Sequence, residues 1–274
     1  MKKFITFFVV FIFITSPVLA KADKTGEDYL KNSKHPFSMN FIGESIVKSG
    51  IKHALKKEAP GKYKVKFKGY TLSSIKKGIF KYLEITGEDV TVNNIEIPYF
   101  NLKTITDYNW VDYNQEPIAI KTDMELDSVI HLSDKSVNDA LASEEYNKIL
   151  RHINKKAYPI FTINGTKVKI KDNKFYIVII YNFPLAPKAK DRTFVVSSKL
   201  KVSNNEIQPY DAVFNSVYGN LPLQKVTNLI NMLNPLNFTV KLIDDKNCDA
   251  KIEQIEIIDD IIKINGKIYV KGEK

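Results

Sequence analysis

The sequence predicts an α+β fold: a long, strongly curved antiparallel sheet wrapped around one or two amphipathic helices. Three observations lead there. Residues 118–132, IAIKTDMELDSVIHL, alternate without a break: six of the eight residues on one face are apolar, and five of the seven on the other are charged or ionisable. That is the period of a strand with one dry and one wet face. Fifteen residues in a row would reach roughly 50 Å, and a strand of that length accumulates twist and coils. Second, residues 62–68, KYKVKFK, put Tyr63, Val65 and Phe67 on one face and four lysines on the other. Third, the element order is helix, strands, helix, strands, helix, strands, which excludes a regular βαβ array.

The chain has 274 residues and a net charge of +10. Lys2 and Lys3 precede an apolar run over residues 4–14, and Val18-Leu19-Ala20 sets small residues where a signal peptidase reads. Residues 1–20 are expected to be a signal peptide, 21–37 a flexible leader, and 38–274 a single domain; a cut after Ala22 fits nearly as well. The apolar run falls short of the ~20 residues that span a bilayer. Cleavage after Ala20 leaves 254 residues and lowers the charge to +8, because Lys2 and Lys3 leave. That length is ample for a sizeable core. The single cysteine, Cys248, cannot form an internal disulfide.

Residues 38–57 are predicted to be a helix, with Ile42, Ile46, Val47, Ile51, Ala54 and Leu55 on one stripe. Gly43 and Gly50 interrupt it, either simply tolerated or marking a close approach to a sheet; Pro60-Gly61 ends it. Residues 62–68, 79–92 and 95–105 are predicted strands, with 87–89 and Asn93-Asn94 as turns or bulges. Residues 108–117, with Trp110, are predicted to be a loop. Ser133 caps the next helix, whose stripe is Val137, Leu141, Ile149, Leu150 and Ile153, with a break near Ala142-Ser143. Strands follow over 158–163, 167–171, 175–183, 193–202 and 207–214. Asn164-Gly165, Asp172-Asn173 and Asn204-Asn205 are their turns. The nearly unbroken apolar run 175–180 predicts a strand covered on both faces. A helix over 223–233 and strands over 238–243, 250–258, 261–264 and 267–270 complete the chain, with Asp259-Asp260 and Asn265-Gly266 as turns.

Signals for chemistry are weak. His35, His53, His131 and His152 have no ligand spacing, and no phosphate loop, nucleophile elbow or HExxH motif occurs. Asp107 and Asp112 flank Trp110 as loop acids do. Asp245, Asn247, Asp249 and Glu256 match part of a calcium-loop template, but Ala250 stands where glycine is required. No metal or other cofactor is expected, nor an enzyme. The lysine stripe reads first as a solvated strand face or a protected edge, and second as a surface for anionic headgroups. Nucleic acid is a poor partner, since no stacking-aromatic motif accompanies the lysines.

The ordered set of a helix after the signal peptide, the segment ELDSVIHLSDKSVNDAL (Glu125 to Leu141), Leu221-Pro222, Asn234-Pro235-Leu236 and a closing hairpin over 261–270 resembles the LmeA-like family of exported phospholipid-binding proteins. The resemblance spans about residues 42–270. It implies a fold similar to tubular lipid-binding proteins, in which a curved sheet wraps a long helix and the interior takes acyl chains. It implies no catalytic residues. On that reading a phospholipid or similar amphiphile lies against Ile118, Ile120, Met124, Leu126 and Ile130, with Ile46 and Ile51 of the first helix opposite. Lys64, Lys66 and Lys68 then dock to an anionic membrane. The competing expectation is a structural or protein-binding envelope module with a solid core; a third is an envelope hydrolase whose acids converge in one cleft.

Overall fold

The computed structural model describes residues 36–273, apart from 93, 113–118, 186–190, 216–232, 234–235 and 237–247. The expected signal peptide, nearly all of the leader, the 223–233 helix except Leu233, the 238–243 strand and Ile118 lie outside the described residues.

Among the described residues, two antiparallel sheets and four helices make an α+β fold. Helix α1 (Pro36–Glu58) leads to β1 (Lys62–Gly69), the short α2 (Leu72–Lys76), β2 (Ile79–Val92), β3 (Ile95–Thr104), β4 (Asn109–Asp112), β5 (Ala119–Ile120) and β6 (Met124–Leu132). Helices α3 (Asp134–Leu141) and α4 (Glu144–Ala157) follow, then β7 (Thr162–Lys171), β8 (Lys174–Asn182), β9 (Arg192–Ser203) and β10 (Glu206–Asn215). The closing hairpin is β11 (Cys248–Ile258) and β12 (Ile261–Val270). The first sheet has eight strands in the order β11-β12-β6-β3-β2-β4-β5, with β1 on the free side of β2; the second runs β10-β9-β8-β7. Among the described residues neither sheet closes on itself.

The expected 15-residue strand is instead two. β5 pairs with β4, through Val111 and Ile120, whereas β6 runs between β3 and β12. The chain changes partners over residues 121–123, held there by Trp110 N–H donating to Thr122 Oγ1 and Gly272 N–H to Asp123 Oδ1. Ile120 and Met124 are both buried, so the alternation survives a break in the strand and hides it. The predicted loop over 108–117 contains β4, which pairs with the start of β2. Buried Asn109 pins it, its amide donating to the Thr106 carbonyl and its Oδ1 accepting from Thr106 Oγ1.

Both Asn-Gly pairs read as turns lie inside strands. Pairing of β7 with β8 slips between Ile163 and Gly165, which leaves Asn164 as a bulge in one continuous strand. In β12, a Cβ on Gly266 would meet the Lys251 carbonyl oxygen at 2.4 Å, where β11 bulges between Ile252 and Gln254. Residues 158–161 form a turn with a cis Tyr158-Pro159 bond rather than a strand. The Asp172-Asn173, Asn204-Asn205 and Asp259-Asp260 turns are as expected, with both residues of each at positive φ. Strand β8 buries only one face: Phe175, Ile177 and Ile179 are covered, and Tyr176, Val178 and Ile180 are half-buried.

Helix α1 lays Val47, Ile51, Ala54 and Leu55 toward the first sheet, where Tyr63 and Phe67 of β1 are buried. Gly43 makes the close approach its residue type suggested, though to α2 and not to a strand; a Cβ there would lie 2.7 Å from Leu72 Cδ1. Helix α3 is capped by Ser133 and α4 by Ser143, so the helix break falls at the expected residues. Acids in the first turn of α4 and Lys155-Lys156 in the last complement its dipole.

Three asparagines tie the pieces together by pairing an amide with backbone groups. Asn138 of α3 receives Val168 N–H and donates to Val168 O; Asn154 of α4 does the same with Ile163. Asn205, at the β9–β10 turn, donates to Ala250 O and accepts from Ile252 N–H of β11. Asn173 N–H, at the β7–β8 turn, donates to Asp260 Oδ1 at the tip of the β11–β12 hairpin. The hairpin tips of the second sheet thus meet the β11–β12 edge of the first.

Candidate functional site

The residues expected to line a lipid site fall into three groups. Ile51, Ile120, Met124 and Leu126 are buried together in the core of the first sheet, each less than a tenth exposed. Ile46 is half-buried on α1, outside the buried set of that core. Ile130 is half-buried and packs against both apolar clusters: the one under the first sheet and the one between α3, α4 and the second sheet. The second cluster holds Tyr146, Leu150, Phe175, Ile177, Ile179 and Ile262 among its buried members. Apolar interior therefore runs from Ile51 and Met124, past Ile130, to Ile177 under the second sheet. The sequence showed Ile130 as one more residue on a dry face; that it joins two cores depends on where α3 and β7 fold back.

The lysine stripe stands where the alternation put it. Lys62, Lys64, Lys66 and Lys68 are exposed while Tyr63 and Phe67 are buried. What the sequence did not show is what lies beside them. Across the outer face of the first sheet, strand register aligns Lys66 with Glu84, Lys103, Asp127, Lys267 and Lys251 in turn. Opposite charges in neighbouring strands attract at this spacing. Lys66 Nζ lies 2.8 Å from Glu84 Oε2, and Lys62 Nζ 2.8 Å from Asp89 Oδ2. Burial pushes the Glu84 carboxyl up, but hydrogen bonds from Lys66, Tyr82 and Asn101 and the Lys66 charge outweigh it and hold it down at about 2. Burial and then the Glu84 hydrogen bond push the Tyr82 hydroxyl up to about 12. Among the described residues, Lys64 and Lys68 make no ion pair. Of the three lysines expected to dock a membrane, Lys66 is engaged by Glu84, and Lys64 and Lys68 have no ion-pair partner among the described residues.

Other candidates are dispersed. His53 and His152 are exposed, His131 is half-buried against Tyr99 with ring centroids 4.7 Å apart, and His35 lies outside the described residues. Burial, then Lys263, lowers the His131 pKa, which favours its neutral form. Asp107 is exposed and Asp112 half-buried. Asp249 and Glu256 sit on β11, while Asp245 and Asn247 lie outside the described residues. Among the described residues no three His, Cys, Asp or Glu side chains gather to hold a metal ion. Among them, too, no helix is long and apolar enough to cross a membrane.

One surface escaped the sequence reading. Tyr158 and Ile160, placed there in a strand, and Leu185 are each about two-thirds exposed or more, at 67%, 69% and 78%. Hydropathy cannot reveal exposure, because apolar residues next to strands are usually buried by distant parts of the chain.

Comparison with family models, with curated proteins and with solved structures returns no match.

Proposed function

We propose that this is an exported, non-enzymatic protein that binds a phospholipid or similar amphiphile along the apolar seam between its two cores, with an anionic membrane surface as its second partner. The observation that supports the reading best is the position of Ile130, which packs against both clusters and makes one apolar interior of two. A lipid tail lying along that seam would gain ~0.8 kcal/mol per buried CH₂, so acyl chains alone would hold it. Strong curvature of the first sheet around α1, of the tubular lipid-binding type, belongs to the same proposal. Export rests on Lys2, Lys3 and the apolar run that follows them. Lys64 and Lys68 add long-range attraction toward anionic headgroups.

A second reading, a structural or protein-binding module with a solid core, is favoured by the close burial of Ile51, Ile120, Met124 and Leu126. Ile130→Phe separates the two. If the seam accepts acyl chains, the larger ring fits without loss of stability and lowers capture of a fluorescent phospholipid. If the core is solid, overpacking destabilises the fold by about 1–3 kcal/mol in urea titration, and no phospholipid is captured by either protein.

A further inference from the structure

We infer that the far end of the second sheet, where Tyr158, Ile160 and Leu185 project, is the face that enters the surface of an anionic phospholipid bilayer. The inference rests on the lipid-binding reading and gives it a point of membrane contact.

The three side chains come from two turns that leave the sheet side by side. Thr162 of β7 pairs with Asn182 of β8, so Ile160, two residues before the one, and Leu185, three residues after the other, lie at the same end. The turn before β7 is well made. Tyr158 N–H donates to Asn154 O at 2.9 Å and Ile160 N–H to Ala157 O at 2.9 Å, while Asn154 clamps Ile163 on the following strand. On the β8 side, the Tyr181 and Phe183 rings meet edge-on at 5.5 Å, and the Arg192 guanidinium lies 5.0 Å over Phe183. Tyr158 and Ile160 are thus exposed on a turn whose backbone donors are satisfied, and Leu185 is exposed three residues past the end of the β8 pairing.

Charge selects the occupant. Lys155 and Lys156 form the last turn of α4, beside Tyr158, and Arg192 opens β9 beside the second turn. The helix's own acids, Glu144 and Glu145, lie at its opposite end, about 20 Å away at 1.5 Å per residue. The nearest acid on the β9 side, Asp191, accepts a hydrogen bond from Asn164. Protruding Tyr, Ile and Leu flanked by lysines match an anionic lipid–water interface, where aliphatic side chains enter the acyl boundary, Tyr sits at headgroup level and lysines meet phosphate.

The test is co-sedimentation of the purified protein with vesicles of phosphatidylglycerol and phosphatidylcholine, compared with phosphatidylcholine alone. Ile160→Ser with Leu185→Ser should weaken binding at least about tenfold, since two aliphatic side chains no longer enter the acyl region. Lys155→Glu with Lys156→Glu should abolish the preference for phosphatidylglycerol. Lys64→Glu with Lys68→Glu should stay within about twofold at physiological salt, where distant charges are screened. An Ile160→Trp variant should shift its emission to the blue on adding vesicles, above the constant signal of Trp110. The inference is overturned if the Ser pair binds as the parent does, if the Trp emission does not move, or if the Ser pair only dissolves a self-associated form without lipid. Phospholipid co-purifying with the Ser pair keeps the two proposals apart. Retained lipid with lost vesicle binding assigns these side chains to docking alone. Absence of lipid from both proteins, with vesicle binding still dependent on Ile160 and Leu185, counts against the lipid-binding reading and leaves the docking face standing.

Discussion

The outer face of the first sheet and the far end of the second both meet solvent, but they are built in opposite ways. On the first sheet most of the charged contacts are matched across strands, Lys66 with Glu84, Lys62 with Asp89 and Lys267 with Glu125, and the remaining lysines of the stripe, Lys64 and Lys68, are solvated charges rather than apolar groups. At the far end of the second sheet the backbone of the 158–160 turn is satisfied, while Tyr158, Ile160 and Leu185 are about two-thirds exposed or more. Exposure alone therefore does not mark a contact surface. The informative sign is unmatched side chains on a backbone that has no need of a partner. By that standard a stripe of lysines, conspicuous in the sequence, is the weaker candidate.

Each surface depends on a few supporting residues. Asn154→Ala should have the largest effect, because it strands the N–H and C=O of buried Ile163; about 2–4 kcal/mol of stability should be lost in urea titration. It should also weaken vesicle binding while every exposed apolar side chain remains, since Asn154 holds the turn that carries them. Next comes the acid side of the first sheet. Glu84 is held well below the ordinary carboxylate value of 4.5, so its folded form binds the proton less tightly than the unfolded chain. The stability it contributes is present above ~4.5 and is lost as pH falls toward about 2. Between about pH 7 and about pH 3, Glu84→Gln should therefore lose about 1–2 kcal/mol less than the parent, a figure reduced because its partner Lys66 is half-exposed. The smallest effect belongs to Lys64→Ala with Lys68→Ala. Neither lysine has an ion-pair partner among the described residues, and stability should change by no more than about 0.5 kcal/mol. A large loss there would mean that the stripe is structural after all.

Much of the fold was legible because strands and helices carry their period locally. β1 and β2 follow from alternation, and the α3–α4 break follows from Ser143. Three hairpins follow from Asp and Asn pairs that tolerate positive φ. What failed did so for non-local reasons. The break over residues 121–123 keeps the parity of the strand while exchanging its neighbour, and parity is all a single sequence displays. Gly266 looked like a turn because the residue that needs its missing Cβ, Lys251, lies across a ladder. β4 is four residues long, too short for a period to declare itself. The candidate site divides the same way. That Met124 and Leu126 are buried was readable; that Glu84 stands beside Lys66, or that Ile160 is exposed, was not.

The claim that matters most is that the apolar interior holds a lipid. Organic extraction of the protein purified from cells, followed by mass spectrometry, tests it most directly. Phospholipid recovered in near-equal molar amount to the protein, and displaced by an added fluorescent analogue, is the predicted result. Protein that carries no lipid from the cell and captures none in solution would contradict it, and would leave the two joined clusters as an ordinary closed core.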